Sequence, residues 1–87
     1  MTLNFPNVSR SYDARRHLIR FWGHDSALEI SFFVDVGALY KLNPQVRNLE
    51  AGYLEAFDAA RERIHETARK VYSRSRSGAY LLAATDF

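Results

Sequence analysis

Two stretches of this chain carry the imidazole and carboxylate side chains that metal or acid/base chemistry would need. The first is His24-Asp25, with His17, Glu29 and Asp35 close by in sequence. Imidazole and carboxylate are the ligand types that zinc and non-haem iron use. The spacing argues against one assembled site. Gly23-His24-Asp25-Ser26 reads as a tight turn, in which Asp commonly bonds its own backbone. Glu29 and Asp35 share a face of an alternating strand but stand about 20 Å apart along it, too far to chelate one ion. The second stretch, Glu62-Arg63-Ile64-His65, has the Glu-x-x-His spacing of di-iron bundles. Such sites draw carboxylates from four helices, whereas this chain has the pattern for one long helix. His65-Glu66-Thr67-Ala68-Arg69 also misses the zinc-protease pattern, because Arg69 stands where the second histidine must be. The stretch reads as a solvated helix face.

Nucleophilic catalysis finds no better footing. No Gly-x-Ser-x-Gly elbow is present, and Ser73, Ser75 and Ser77 alternate with arginine in a loop-like segment. Cysteine is absent, which removes disulfides and thiolate metal sites and points to a reducing compartment. The chain is therefore expected to be no enzyme, with no catalytic residue, metal or cofactor.

Two binding surfaces remain as candidates. From Arg61 to Arg76, six cations (Arg61, Arg63, Arg69, Lys70, Arg74, Arg76) face Glu62 and Glu66, a local charge of +4. Arg69, Lys70, Arg74 and Arg76 are the candidate phosphate ligands. The structural account of the same residues is a helix C-terminus that favours cations, with Glu66 pairing Lys70 at i+4. Twelve Lys and Arg against ten Asp and Glu give a net charge of only +2, so the pI near 9.2 reflects near balance in an Arg-rich chain. Nucleic acid is accordingly the alternative partner and not the leading one. The other surface is aromatic. Trp22 and Phe33 fall opposite the apolar stripes of their strands. With one covered sheet face they face solvent and mark a partner surface; with the N-terminal segment folded over that face they are covered. Both arrangements are compatible with the sequence.

The elements that must position these residues follow from periodicity. Leu3-Asn4-Phe5 reads as a short strand ended by Pro6, and Asn7 to Asp13 as polar and turn-like. His17 to Trp22 reads as a strand, and Leu28, Ile30, Phe32 and Val34 alternate with Glu29, Ser31, Phe33 and Asp35 in the clearest half-buried strand. Together they predict an antiparallel hairpin. Asp35 stands as N-cap to a short helix running to Leu42, interrupted at Asn43-Pro44. From about Leu49 to Tyr72, Tyr53, Phe57, Ala60, Ile64, Ala68 and Val71 recur at helical spacing, with Asn48 as a plausible N-cap. Ser73 to Gly78 reads as a connector and Ala79 to Ala83 as a last strand. The expected fold is α+β: a small antiparallel sheet, made of the hairpin with N- and C-terminal strands, packed by a short helix and one long amphipathic helix.

At 87 residues the chain is expected to form a single domain, 1–87, with Phe5, Phe21, Trp22, Phe32, Phe33 and Phe57 supplying much of the core. No basic segment followed by an apolar run opens the chain, and no apolar run approaches the roughly 20 residues of a membrane span. A soluble, cytoplasmic protein without a membrane partner is the expectation.

Several of these residues, taken in order, also resemble a known family. They are Phe5-Pro6, Tyr12-Asp13, Ile19-Arg20-Phe21-Trp22-Gly23-His24-Asp25, Phe32-Phe33-Val34-Asp35 before Ala38-Leu39, Phe57-Asp58-x-x-Arg61-x-x-Ile64 and the closing Ala84-Thr85-Asp86-Phe87. Over nearly the whole chain this pattern is similar to the small bacterial domain-of-unknown-function family numbered fourteen eighty-eight, with a departure at Gly37. The resemblance implies an α+β fold and brings no activity, so no catalytic residue transfers. What remains is a small non-catalytic interaction module, its partner a second copy or another protein, with nucleic-acid binding as the alternative.

Overall fold

The computed structural model describes residues 3–6, 8–74 and 79–87. In chain order these form β1 (Leu3–Asn4), β2 (Arg10–Asp13), β3 (Leu18–Asp25), β4 (Leu28–Asp35), α1 (Val36–Leu42), α2 (Glu50–Ala59), α3 (Arg61–Arg74), β5 (Ala79–Leu82) and a closing 3-10 turn (Ala84–Asp86). The α+β architecture is the one the periodicity predicts. The hairpin is there too: β3 and β4 pair antiparallel from Leu18↔Asp35 to Asp25↔Leu28. Its loop is shorter than expected. Only Ser26 and Ala27 lie between the strands, with Ser26 at the positive φ of 56° that two-residue hairpin loops use.

Three expectations need correction. The segment before His17 is not all turn, because Arg10–Asp13 pairs with Leu18–Phe21 and makes β2. β1 and β2 thus share one edge of β3, at opposite ends. The last strand joins β4 in parallel, with Ser31↔Ala79 to Val34↔Leu82, so the sheet is mixed. The physical reason is the connection: a parallel return needs a long crossover, and α1, α2 and α3 supply it. Finally, the long helix is two helices. Ala60 leaves helical geometry at φ −107° and ψ 14°. The bond ladder survives the bend, since the Ala60 N–H reaches Ala56 O and Ile64 N–H reaches Ala60 O. The hydrophobic phase therefore runs on unbroken, which is why the sequence reads as one helix. A straight helix would leave one end of a twisted sheet bare; here α2 packs toward β2 and α1, and α3 toward β5.

Caps and close approaches hold the joints. The Asp35 carboxylate accepts the Gly37 N–H at 3.0 Å, as its position before α1 predicts. Asn48 does not cap α2, whose N-cap is Leu49 without a side-chain bond; it accepts from the Tyr53 hydroxyl instead. Gly23 must be glycine, because a Cβ there would lie 2.8 Å from Asn4 O and 2.9 Å from the Phe5 ring. Gly52 is similarly bound, with Arg47 O 2.2 Å from its Cβ position. Ser73 and Arg74 finish α3 and are not a connector, while residues 75–78 lie outside the described residues.

The core forms between the inward rows of the sheet and the two long helices. Ile19, Phe21, Phe32, Val34 and Leu82 meet Phe57, Ile64 and Ala68, all fully or almost fully buried. Phe5 packs against this cluster half-buried, but Trp22 and Phe33 belong to the other face. Tyr72, more than Val71, carries the end of the α3 stripe inward. Replacing Phe57 with Ala removes a ring with no solvent exposure, and should cost about 3–5 kcal/mol in a denaturant titration. His65 gives a pH signature. Its ring stacks on Phe5 with centroids 3.9 Å apart, and burial, helped by Arg61 and Arg69, lowers its pKa from 6.5 to about 4. The unfolded chain then binds the proton first, so stability should fall as pH drops from about 6.5 toward 4. The same titration on His65→Gln should lose that part of the slope.

Candidate functional site

Alternation along β3 and β4 sends one row of side chains to the helices and the other row outward. The outward row of β3 is Leu18, Arg20, Trp22 and His24; that of β4 is Glu29, Ser31, Phe33 and Asp35. Register brings them side by side. Arg20 lies opposite Phe33, which lies opposite Leu81 of β5, while Trp22 lies opposite Ser31. Leu81 is 54% exposed. Leu18, Phe33 and Leu81 therefore gather on the side of the sheet away from α2 and α3, with Trp22 on the same side beyond Arg20.

The described residues of the N-terminal segment, 3–6, do not fold over this area. Leu3 is buried and Phe5 packs on Phe21, Phe32 and His65, all on the helix side. Trp22 and Phe33 are instead half-covered by arginines. The Arg20 guanidinium lies 4.8 Å from the Trp22 ring, and that of Arg16 lies 5.0 Å from the Phe33 ring. Both cations are also held from the side. Arg20 donates to Ser31 at 3.1 Å and stands 3.7 Å from Glu29; Arg16 donates to Asp13 at 2.8 Å. That bond, with the Arg15 and Arg16 N–H groups on the same carboxylate, lowers the Asp13 pKa. Between Arg16, Leu18, Phe33, Tyr80 and Leu81 the face dips into a shallow hollow of about 230 Å³.

The other candidate residues do not assemble. His24 and Asp25 sit inside β3, not in a turn. His24 faces outward opposite Glu29, whereas Asp25 points to the helices and accepts the Tyr72 hydroxyl at 2.5 Å. Asp35 caps α1 at the other end of the strands. Among the described residues no group of three or more His, Asp and Glu is placed to hold a metal ion. His65 is not on a solvated face; it lies half-buried under Phe5 while Glu62 is exposed. In the basic stretch, Arg61 donates to Asp58 at 2.5 Å and covers the Phe57 ring. Arg69 turns to the N-terminal segment, donating to Leu3 O at 3.3 Å and lying over Phe5. Lys70 and Arg74 are exposed, Glu66 and Lys70 form no ion pair, and Arg76 lies outside the described residues.

One assembly escaped the sequence reading. Tyr12, Tyr40 and Tyr53 converge from β2, α1 and α2, with ring centroids 5.2 and 6.3 Å from Tyr53. The Tyr12 hydroxyl lies 3.4 Å from His17 Nδ1, and bonding to Tyr40 with burial pushes the Tyr53 pKa up to about 12. No local spacing announces this group, because its members come from separate elements. Tyr53, the buried member, bonds to Asn48 and to Tyr40, and the half-buried Tyr12 lies against His17.

The class this geometry defines is a small α+β domain with helices on one side of a mixed sheet and an aromatic, arginine-covered surface on the other. The family model described as "Protein of unknown function (DUF1488)" matches residues 3–82, and the chain belongs to that family. A crystal structure of a protein of unknown function from the DUF1488 family of Shewanella loihica PV-4 has the same fold. Its TM-score is 0.82, at 20% identity over 94% of each chain. No curated protein matches the chain. No helix among the described residues is long and apolar enough to cross a membrane.

Trp22 is the single tryptophan, so its emission reports on this face directly. In dilute protein acrylamide should quench it readily, and Arg20→Ala should raise the quenching constant by uncovering the ring. Unchanged quenching in that variant would mean that the guanidinium does not cover the ring.

Proposed function

We propose that this chain is a non-catalytic interaction module that pairs with a second copy of itself through the outer face of its sheet. The observation that carries the reading is the group of Leu18, Phe33 and Leu81, with Trp22 on the same outer face, which among the described residues has no helix over it and is shielded by Arg16 and Arg20. Large apolar side chains gathered on one outer face are the usual mark of a partner surface. Charge favours a like partner. Arg16 and Arg20 share the face with Asp13, Glu29 and Asp35, so it is close to neutral and of mixed sign. A two-fold interface must complement itself, which a mixed face can do and a face of one sign cannot.

The non-catalytic part of the reading rests on the scatter of the titratable residues. No nucleophile, base and orienter come together among the described residues in the geometry an enzyme needs. Size sets the expected strength. Eight-residue strands span roughly 27 Å at about 3.4 Å per residue, and the face is only a few strands wide. That footprint belongs with interfaces below about 1,200 Å² in total, which are weak and reversible.

Sedimentation velocity over about one to several hundred micromolar protein, a range chosen for such small interfaces, should show a monomer–dimer equilibrium. Phe33→Ala should weaken it by about 2 kcal/mol while leaving the thermal midpoint almost unchanged. A strict monomer over the whole range overturns the proposal. A parallel titration with labelled DNA and RNA at low salt addresses the cations at the end of α3. Binding that falls steeply with salt would replace the self-association reading with the nucleic-acid one.

A further inference from the structure

We infer that the two copies are held by a reciprocal ring and hollow: Trp22 of each enters the depression beside Phe33 and Leu81 of the other. This rests on the self-association reading and adds the contact that carries it. The depression is lined by Arg16, Leu18, Phe33, Tyr80 and Leu81 and measures about 230 Å³. A cavity of roughly 150 Å³ is enough to take a benzene ring, so an indole is of the size this one accepts. Its chemistry suits an indole as well. Leu18, Phe33 and Leu81 supply apolar wall, and the Arg16 guanidinium stands at the edge, where it can meet a π face.

Trp22 has the complementary properties. It lies on the same outer face, outside the core, opposite the small Ser31, with Arg20 over one side of the indole. The ring and the hollow are displaced from one another across the strands, Trp22 in the row of Ser31 and the hollow in the rows of Leu18 and Phe33. A two-fold axis lying in the interface and running between them carries each ring onto the other copy's hollow. Contact i to j then implies contact j to i, which is the condition a closed dimer must satisfy. Desolvated aromatic anchors seated in pockets are also where binding energy concentrates. A nucleic-acid strand fits the hollow poorly, because Arg16, its one cation among the described residues, already holds Asp13 at 2.8 Å.

Two surface variants separate the ring from the hollow. Trp22→Ala removes the ring and keeps the hollow; Leu81→Arg fills the hollow and keeps the ring. Circular dichroism and thermal melts should show both folded, since Leu81 is 54% exposed and Trp22 lies outside the core. Leu18→Arg, on the opposite wall, repeats the second arm if Leu81→Arg proves unstable. Each variant alone should associate at least about tenfold more weakly than the parent chain. Mixed, they should recover part of the association, because the mixed pair keeps one of its two ring–hollow contacts. The mixture has a clean optical readout: the Trp22→Ala variant contains no tryptophan, so a blue shift on mixing reports the other variant's Trp22 leaving water. A parent dimer with no recovery on mixing, or a Trp22→Ala variant that pairs as well as the parent, overturns the reciprocal contact and leaves self-association standing. A parent that never pairs overturns both.

Discussion

The fold depends on one buried ring. Phe21, 1% exposed in the middle of β3, has Phe5, Phe32, Phe57 and His65 all within 6 Å between ring centroids. Those partners come from the N-terminal segment, β4, α2 and α3, so most of the chain is fastened at that point. In a domain of this size few other sites offer comparable apolar area, and a ring of this kind removes roughly 150–250 Å² from water. The two glycines that must be glycine serve the same packing. Gly23 lets the N-terminal segment cross β3 closely enough for Phe5 to reach the cluster, and Gly52 lets the loop before α2 lie against that helix.

Around this core the arginines act as lids on aromatic rings. Arg61 lies over Phe57, Arg69 over Phe5, Arg20 over Trp22 and Arg16 over Phe33. The planar, weakly hydrated guanidinium suits this role better than an ammonium does. Arg16, Arg20 and Arg61 among these also face carboxylates, and Arg10 joins Arg61 on Asp58, which ties β2 to the bend between α2 and α3. The composition is Arg-rich, with a pI near 9.2 and a net charge of only +2. Much of the arginine charge lies on rings and beside acids, where it covers apolar area.

Because the core is one-sided, the opposite face of the sheet inherits the rings that the core does not need. That inheritance is what the proposed pairing uses. The inward and outward rows are set by the same alternation, so the strand that buries Phe32 and Val34 necessarily presents Phe33 outward. The buried row fixes the position of the outer row, and the outer residues need no packing of their own to be held in register.

Much of this was legible in the residues themselves. Alternation from Leu28 to Asp35 determined a strand and its two faces, Asp35 determined where α1 starts, and the stripe from Tyr53 to Ala68 determined which helical residues turn inward. These are local signals, carried by neighbours two to four residues apart. The tertiary structure alone decided the parallel seat of β5, the pairing of β2, the bend at Ala60, the burial of His65 under Phe5, the tyrosine cluster and the covering of Trp22 and Phe33 by arginine. Each of these depends on which distant segment arrives at a surface. Periodicity records only that a surface is apolar, whereas chain connection and the twist of the sheet decide what meets it.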